Sequence, residues 1–178
     1  MKFFVIALIA LWTVDGWARA GSESFERVFP IEYSQMLRNA KIAYEHERYD
    51  EAFEQFQRTA CAGDKESQSA LGRMYLLGQG TKRDDLVGYA WLKVAAEIHF
   101  PGYQTIVRQL EDAMTPQQRS IADVEANQRI AQYGLAATNM SCGKAASRRG
   151  HIVDQIECIP ERDGGQFRLK RCADAPAQ

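Results

Sequence analysis

From Ser34 to about Gly134 the apolar residues recur at the three-and-four spacing of a helix face, and glycine or proline falls between the runs. A chain so punctuated is committed to a succession of short amphipathic helices, and six fit the pattern. The first covers about Ser34 to His46, with Leu37, Ala40, Ala43 and Tyr44 on one stripe. The second opens at Asp50, read as its N-cap, with Ala52, Phe53, Phe56 and Ala60 inward. The third runs from about Glu66 to Leu77 and stops at Gly78-Gln79-Gly80, where glycine takes the left-handed closing position. Asp84 caps the fourth, which buries Leu86, Val87, Ala90, Trp91, Val94 and Ala95 before Pro101-Gly102 closes it. A fifth follows from about Tyr103 to Ala113. Thr115-Pro116-Gln117-Gln118 starts the sixth with a capping box, threonine at the cap and glutamine three residues on.

The two ends of the chain read differently. Lys2 precedes an apolar run of twelve, Phe3 to Val14, and Ala18-Arg19-Ala20 offers small residues where a signal peptidase needs them. Twelve residues span about 18 Å as a helix, short of a bilayer core of about 30 Å, so residues 1–20 are expected to be a cleaved signal peptide. That places the mature protein in the periplasm or outside the cell. All four cysteines, Cys61, Cys142, Cys158 and Cys172, lie beyond residue 20, and an even count in an exported chain predicts two disulfides in one of three connectivities. The nearest cysteines are fourteen apart and His46, His99 and His151 stand alone, which argues against a metal site. No cofactor is called for. The formal charge of −1 gives no basis for a nucleic-acid partner.

Past Gly134 the helical period fades. Ile152, Ile156, Phe167 and Leu169 predict two short strands, within His151 to Ile159 and Gln166 to Cys172, joined by a Glu-Arg-Asp-Gly-Gly turn. The chain thus divides into 1–20, a helical region 21–134, and a cysteine-containing segment 135–178.

Ala70-Leu71-Gly72-Arg73-Met74-Tyr75, Gly78-Gln79-Gly80, Asp84, Tyr89-Ala90-Trp91-Leu92 and Ala95-Ala96-Glu97 together resemble a Sel-1-like repeat, the helix-pair relative of the tetratricopeptide repeat. Small Gly72 lets the neighbouring helix approach, Trp91 fills the gap between helices, and Ala95-Ala96 allow close stacking. The preceding pair is more loosely similar to a tetratricopeptide unit, with Ala40, Tyr49, Ala52 and Phe56 at the small and aromatic places. The pair ending in Thr115 to Gln118 resembles the closing pair of exported members. The resemblance covers about Ser34 to Gly134. It implies a mainly α fold, a short right-handed solenoid of about three helix pairs, with a disulfide-tethered C-terminal β-hairpin appended. Cysteine-rich secreted members staple each pair with two cysteines eight apart; here Cys61 faces Ser69 in that spacing, so its expected partner is one of the three C-terminal cysteines. The hairpin is then expected to cover the exposed end of the stack.

The motifs that carry chemistry elsewhere are weak here. Ser141-Cys142-Gly143-Lys144 matches Ser-x-x-Lys, but the companion Ser-Asp-Asn and Lys-Thr-Gly of penicillin-recognising enzymes are missing. Gly78 to Lys82 lacks the spacing of a phosphate loop and follows a helix. Asp84-Asp85 and Glu111-Asp112 read as caps and solvated charges. The segment from Ser141 on carries 7 basic and 5 acidic residues, read as a solvated face.

The resemblance implies a protein-interaction module, not an enzyme, with a peptide or partner domain on the concave surface made by the first helix of each pair. Counted from Ala40 and Gly72, the groove residues are Leu37, Lys41 and Tyr44 in the first pair and Ser69, Arg73 and Leu76 in the second. The partner is an unidentified protein or peptide, and the module alone is expected to be a monomer. The alternative is a cell-wall-active or β-lactam-binding hydrolase, which the resemblance to cysteine-rich family members implies and for which Ser141 of the isolated Ser-x-x-Lys would be the nucleophile.

Overall fold

The computed structural model describes residues 25–144 and 156–173. The signal-peptide expectation for residues 1–20 and the start of the strand expected at His151 lie outside the described residues. A short strand β1 (Phe25–Val28) is followed by six helices, α1 (Pro30–Glu45), α2 (Tyr49–Cys61), α3 (Lys65–Leu77), α4 (Asp85–Ala95), α5 (Pro101–Asp112) and α6 (Pro116–Tyr133). One more helical turn, α7 (Leu135–Thr138), leads into β2 (Ser141–Lys144), β3 (Ile156–Ile159), β4 (Arg162–Asp163) and β5 (Gln166–Lys170). The fold is mainly α, as the periodicity requires.

The helix starts follow the caps. Asp64 accepts from the Ser67 N–H at 2.7 Å, Asp84 from that of Val87 at 3.0 Å, and the Thr115 hydroxyl from that of Gln118 at 3.3 Å. Gln118 reciprocates, its Oε1 taking the Thr115 N–H at 2.9 Å. Gly78 closes α3 in the left-handed region at φ 67°. Thr115→Ala should lower stability by about 1 kcal/mol through loss of that cap. Thermal unfolding should show it as a fall of about 2–4 °C for a chain of this length; an unchanged midpoint would mean α6 frays at its start anyway.

Three starts differ from the sequence reading. Helix α1 begins at Pro30, four residues early, because proline suits the first helical position and Glu32 Oε2 takes the otherwise orphaned Phe29 N–H at 2.7 Å. Arg48, not Asp50, is the N-cap of α2, which leaves Asp50 in the first turn. Pro101 opens α5 and does not end α4; that helix stops at Ala95, and a 3₁₀ turn (Ala96–Ile98) with His99 at φ 56° makes the bend.

Small residues set the spacing of the pairs. Ala40, Ala43, Ala52 and Ala70 pack with Phe56 and Met74 where α1, α2 and α3 meet. Gly72 and Gly88 face each other across α3 and α4: a Cβ on Gly72 would lie 2.9 Å from the Gly88 carbonyl, and one on Gly88 as close to that of Gly72. Trp91 stacks on Tyr133 at 5.2 Å in a cluster with Ala60, Cys61 and Leu71. Tyr89, Ala90 and Leu92 of α4 meet Val107 of α5 and Ala122 and Ala126 of α6.

A buried polar knot joins the pairs along one edge. The Lys65 ammonium, 1% exposed, donates to Gln68 Oε1 at 3.0 Å, the Val94 carbonyl at 3.1 Å and Glu97 Oε2 at 2.9 Å. Glu97 also takes the Leu135 N–H at 2.9 Å, and Gln68 Nε2 donates to the carbonyls of Ala60 and Tyr133.

The strands lie along that edge. Strands β1, β5 and β4 form one antiparallel sheet in that order, and β2 pairs with β3 in a second. This corrects the expected hairpin: Ile156–Ile159 pairs back with Ser141–Lys144, whereas β5 pairs with Arg162–Asp163 around Gly164-Gly165, both at positive φ as a two-residue hairpin turn needs. Val28, Phe167 and Leu169 pack on Tyr33 and Met36 of α1 and on Ala62 at the end of α2. Lys170 Nζ donates to the Gln132 carbonyl at 2.6 Å, and the Ala173 N–H to the Tyr133 hydroxyl at 3.0 Å. The sheet therefore runs across the helix ends from the first pair to the third and does not cover one end of the stack. Cys61 bonds Cys172, which ties α2 to the strand region as expected, and Cys142 bonds Cys158 across β2 and β3.

Candidate functional site

Helices α1, α3 and α5 are the first of each pair, and Lys41 and Glu66 join the first two along one face. On α1, Lys41 Nζ donates to Glu66 Oε2 of α3 at 2.9 Å, and both side chains are about half exposed. The Tyr44 hydroxyl donates to Gln79 Oε1 at 3.1 Å, and its ring meets those of Tyr49 and Phe56 edge-on. On α3, the stripe of Glu66, Ser69, Arg73 and Leu76 follows helical spacing. Arg73 is exposed, and its Nη1 donates to Ser69 Oγ at 3.3 Å.

The six residues named from the sequence fall into three environments. Lys41 and Arg73 reach solvent. Leu37, Tyr44 and Leu76 are half-buried, Leu37 packing toward the sheet cluster and Leu76 between α3, α4 and α5. Ser69 is 1% exposed, so it supports the Arg73 guanidinium from below instead of offering a contact of its own.

Tyr103 of α5 was not singled out from the sequence; its ring packs edge-on against that of Phe100 at 5.2 Å. Its phenol is pushed up to about 12, by burial first and then by the charges of Glu66 and Asp64, with Arg73 pulling the other way. The phenol is therefore protonated, a hydrogen-bond donor, at neutral pH. Asp64 next to this face is buried, and burial raises its carboxyl above the ordinary range, with the Ser67 hydrogen bonds opposing.

A second cluster ties α4, α5 and α6. The Tyr89 hydroxyl, with one proton to give, lies 2.7 Å from Asp123 Oδ1 and 3.0 Å from Glu111 Oε1, and Lys93 Nζ donates to Glu111 Oε1 at 3.0 Å. Burial pushes the Tyr89 phenol far up and the two carboxylates push it further. Burial also works upward on Glu111, but the donors Lys93 and Tyr89 outweigh it and hold its carboxyl below the usual range. With every member engaged, the cluster is a polar tie between helices.

The remaining motifs find structural places. Asp84 is a cap and Asp85 pairs with Arg83 at 2.8 Å. Ser141 and Lys144 are the two ends of an extended strand, so the one-turn adjacency that Ser-x-x-Lys has on a helix is absent. An open cleft of about 580 Å³ lies between the α1–α2 and α3–α4 turns, lined by Tyr49, Asp50, Gly78 and Gly80 among others. Among the described residues no group of three or more His, Cys, Asp and Glu is placed to hold a metal ion.

No protein-family model matches the chain, and no curated protein matches it. Among solved structures it is similar to a protective antigen present in uropathogenic Escherichia coli strains and displaying an SLR (Sel1-like repeat) fold, at 24% identity over 58% of this chain, with a TM-score of 0.45. The chain spans 23% of that protein's length. The helix-pair architecture stands on the packing of this chain itself.

Proposed function

We propose that this chain is an exported helical-repeat module of Sel-1-like type that binds a peptide or a partner domain along the face of α1, α3 and α5. The observation that carries the reading is the exposure of Lys41 and Arg73 on a floor whose other members, Leu37, Tyr44, Ser69 and Leu76, are fixed by core packing. Exposed multi-donor and aromatic side chains on a rigid base are what interface hot spots use. Two disulfides are compatible with a periplasmic or secreted location, and among the described residues no helix is long and apolar enough to cross a membrane. The reading assigns no catalytic step.

The test is affinity capture from envelope extract with residues 21–178 as bait, the bound fraction identified by mass spectrometry. Lys41→Ala, Tyr44→Ala and Arg73→Ala together should reduce the recovered partner at least tenfold. Far-UV circular dichroism and non-reducing peptide mapping should show the fold and both disulfides intact. Undiminished capture by that variant would remove the face from consideration.

A further inference from the structure

Helix α6 differs from the other five long helices in what it shows to solvent. Each of those exposes charge: Lys41 on α1, Glu54 on α2, Arg73 on α3, Asp85 on α4 and Arg108 on α5 all reach solvent. None of the exposed residues of α6 is charged. Its charged side chains are half-buried and engaged: Arg119 donates to the Glu111 carbonyl, Asp123 accepts from the Tyr89 hydroxyl at 2.7 Å, and Arg129 pairs with Glu125 at 2.6 Å. The outer side carries a stripe at helical spacing, Gln117, Ile121, Val124 and Gln128, with Ile121 57% and Val124 58% exposed. Ala122 and Ala126, on the opposite side, pack in the cluster of Tyr89, Ala90 and Leu92. The core therefore makes no use of the stripe.

We infer that this stripe is covered by a second copy of the chain, α6 against α6, in an antiparallel two-fold dimer. This takes the place of the monomer expected from the sequence. Two-fold symmetry asks a surface to complement itself, so that residue i meets j and j meets i. The stripe meets that condition because it reads the same from either end: amide, aliphatic, aliphatic, amide. About a two-fold set between Ile121 and Val124, Ile121 of each copy lies on Val124 of the other, and Gln117 of each lies beside Gln128 of the other. The aliphatic pairs leave water, and each amide, being both donor and acceptor, finds its like. No exposed charge on the stripe is set against its own sign, the cost that a charged face incurs when it pairs with itself. On α1, where Ile31 and Ile42 are also exposed, Arg38 lies between them. The 18 residues of α6 make a face about 27 Å long and about 10 Å wide. That is well below the about 800 Å² that each partner of a stable dimer buries, so the association is weak and concentration-dependent. It draws on none of the residues of the α1, α3 and α5 face, and the binding role proposed above stands or falls separately.

Sedimentation equilibrium of the disulfide-intact protein, from micromolar to millimolar concentration, tests this. The weight-average mass should climb from one chain towards two. Ile121→Glu and Val124→Lys, at exposed positions that the core does not use, should each weaken self-association at least tenfold with the far-UV circular dichroism unchanged. Leu77→Glu, at an equally exposed position on α3, should leave it as it was. Because Ile121 of one copy meets Val124 of the other, an equimolar mixture of the Ile121→Glu and Val124→Lys variants sets opposite charges together and should associate at least tenfold more tightly than either variant alone. A mass of one chain at every concentration would overturn the inference and leave the stripe to another segment of this chain or to a different protein. A dimer indifferent to both substitutions would overturn it by placing the contact elsewhere. Association lost in both variants and not recovered on mixing would overturn it too, since α6 would then meet a different surface of the second copy.

Discussion

Lys65→Met is expected to remove about 3–5 kcal/mol of unfolding free energy, the range for deleting one partner of a buried charge pair. The side chain is closed off from solvent and spends its three N–H groups on Gln68, Val94 and Glu97. Burial lowers the ammonium pKa, while Glu97 and Asp64 hold the charge in place. Methionine fills similar volume without a donor. It takes one donor from the Val94 carbonyl and one from Gln68 Oε1, and Glu97 is left with the Leu135 N–H. Against a typical total of about 5–15 kcal/mol, such a loss moves the urea midpoint far with little change in slope. Adding Glu97→Gln to Lys65→Met should recover part of it, because the stranded carboxylate is then neutral. A loss under about 1 kcal/mol would show that water reaches the ammonium.

Replacing Cys61 and Cys172 by alanine should cost about 4–5 kcal/mol, against about 3 kcal/mol for Cys142 and Cys158, because the bridges close loops of 111 and 16 residues. The character of the two losses should differ as well. Without the Cys61 bond, Phe167 and Leu169 are held on Tyr33, Met36 and Ala62 by packing and by the Lys170 and Ala173 hydrogen bonds. Limited proteolysis should then cut the strand region before the helices. Without the Cys142 bond, only the β2–β3 pair should loosen. Thermal unfolding of the two double variants, with proteolysis alongside, decides this; equal losses would mean the long bridge does not restrain the unfolded chain as its span implies.

The helical body was legible because its signals are local. Asp84, Thr115-Pro116 and Gly78 each sit within one turn of the backbone group they satisfy, and a single sequence displays that. Proline was the ambiguous sign: Pro30 and Pro101 both open helices, and Pro101 read as a stop put the start of α5 two residues late. Strand pairing was not legible, since four-residue strands carry too little pattern to choose a partner more than a hundred residues away. Nothing local in the sequence marks Lys65 for burial. It is buried because Val94, Glu97 and the Tyr133–Leu135 corner close over it, and those contacts belong to the tertiary structure alone. Of the proposed face, helical spacing alone grouped Lys41, Tyr44, Ser69 and Arg73, whereas the burial of Ser69 is set by tertiary packing.

The antiparallel register that sets Phe25 beside Lys170 has a consequence for the order in which the molecule can be assembled. The helix pairs are stabilised by near neighbours in the chain and can form as each is made. Strand β1 is the first described element to be synthesised, yet it has no sheet to join until β5 has emerged. Until then Val28 waits without Phe167 and Leu169, and Cys61 without its correct partner, while Cys142 and Cys158 are already available to it for mispairing. Completion of this protein is therefore a closing event, in which a body built from local contacts is locked by the first and last described strands together, and the thiol chemistry must keep pace with it.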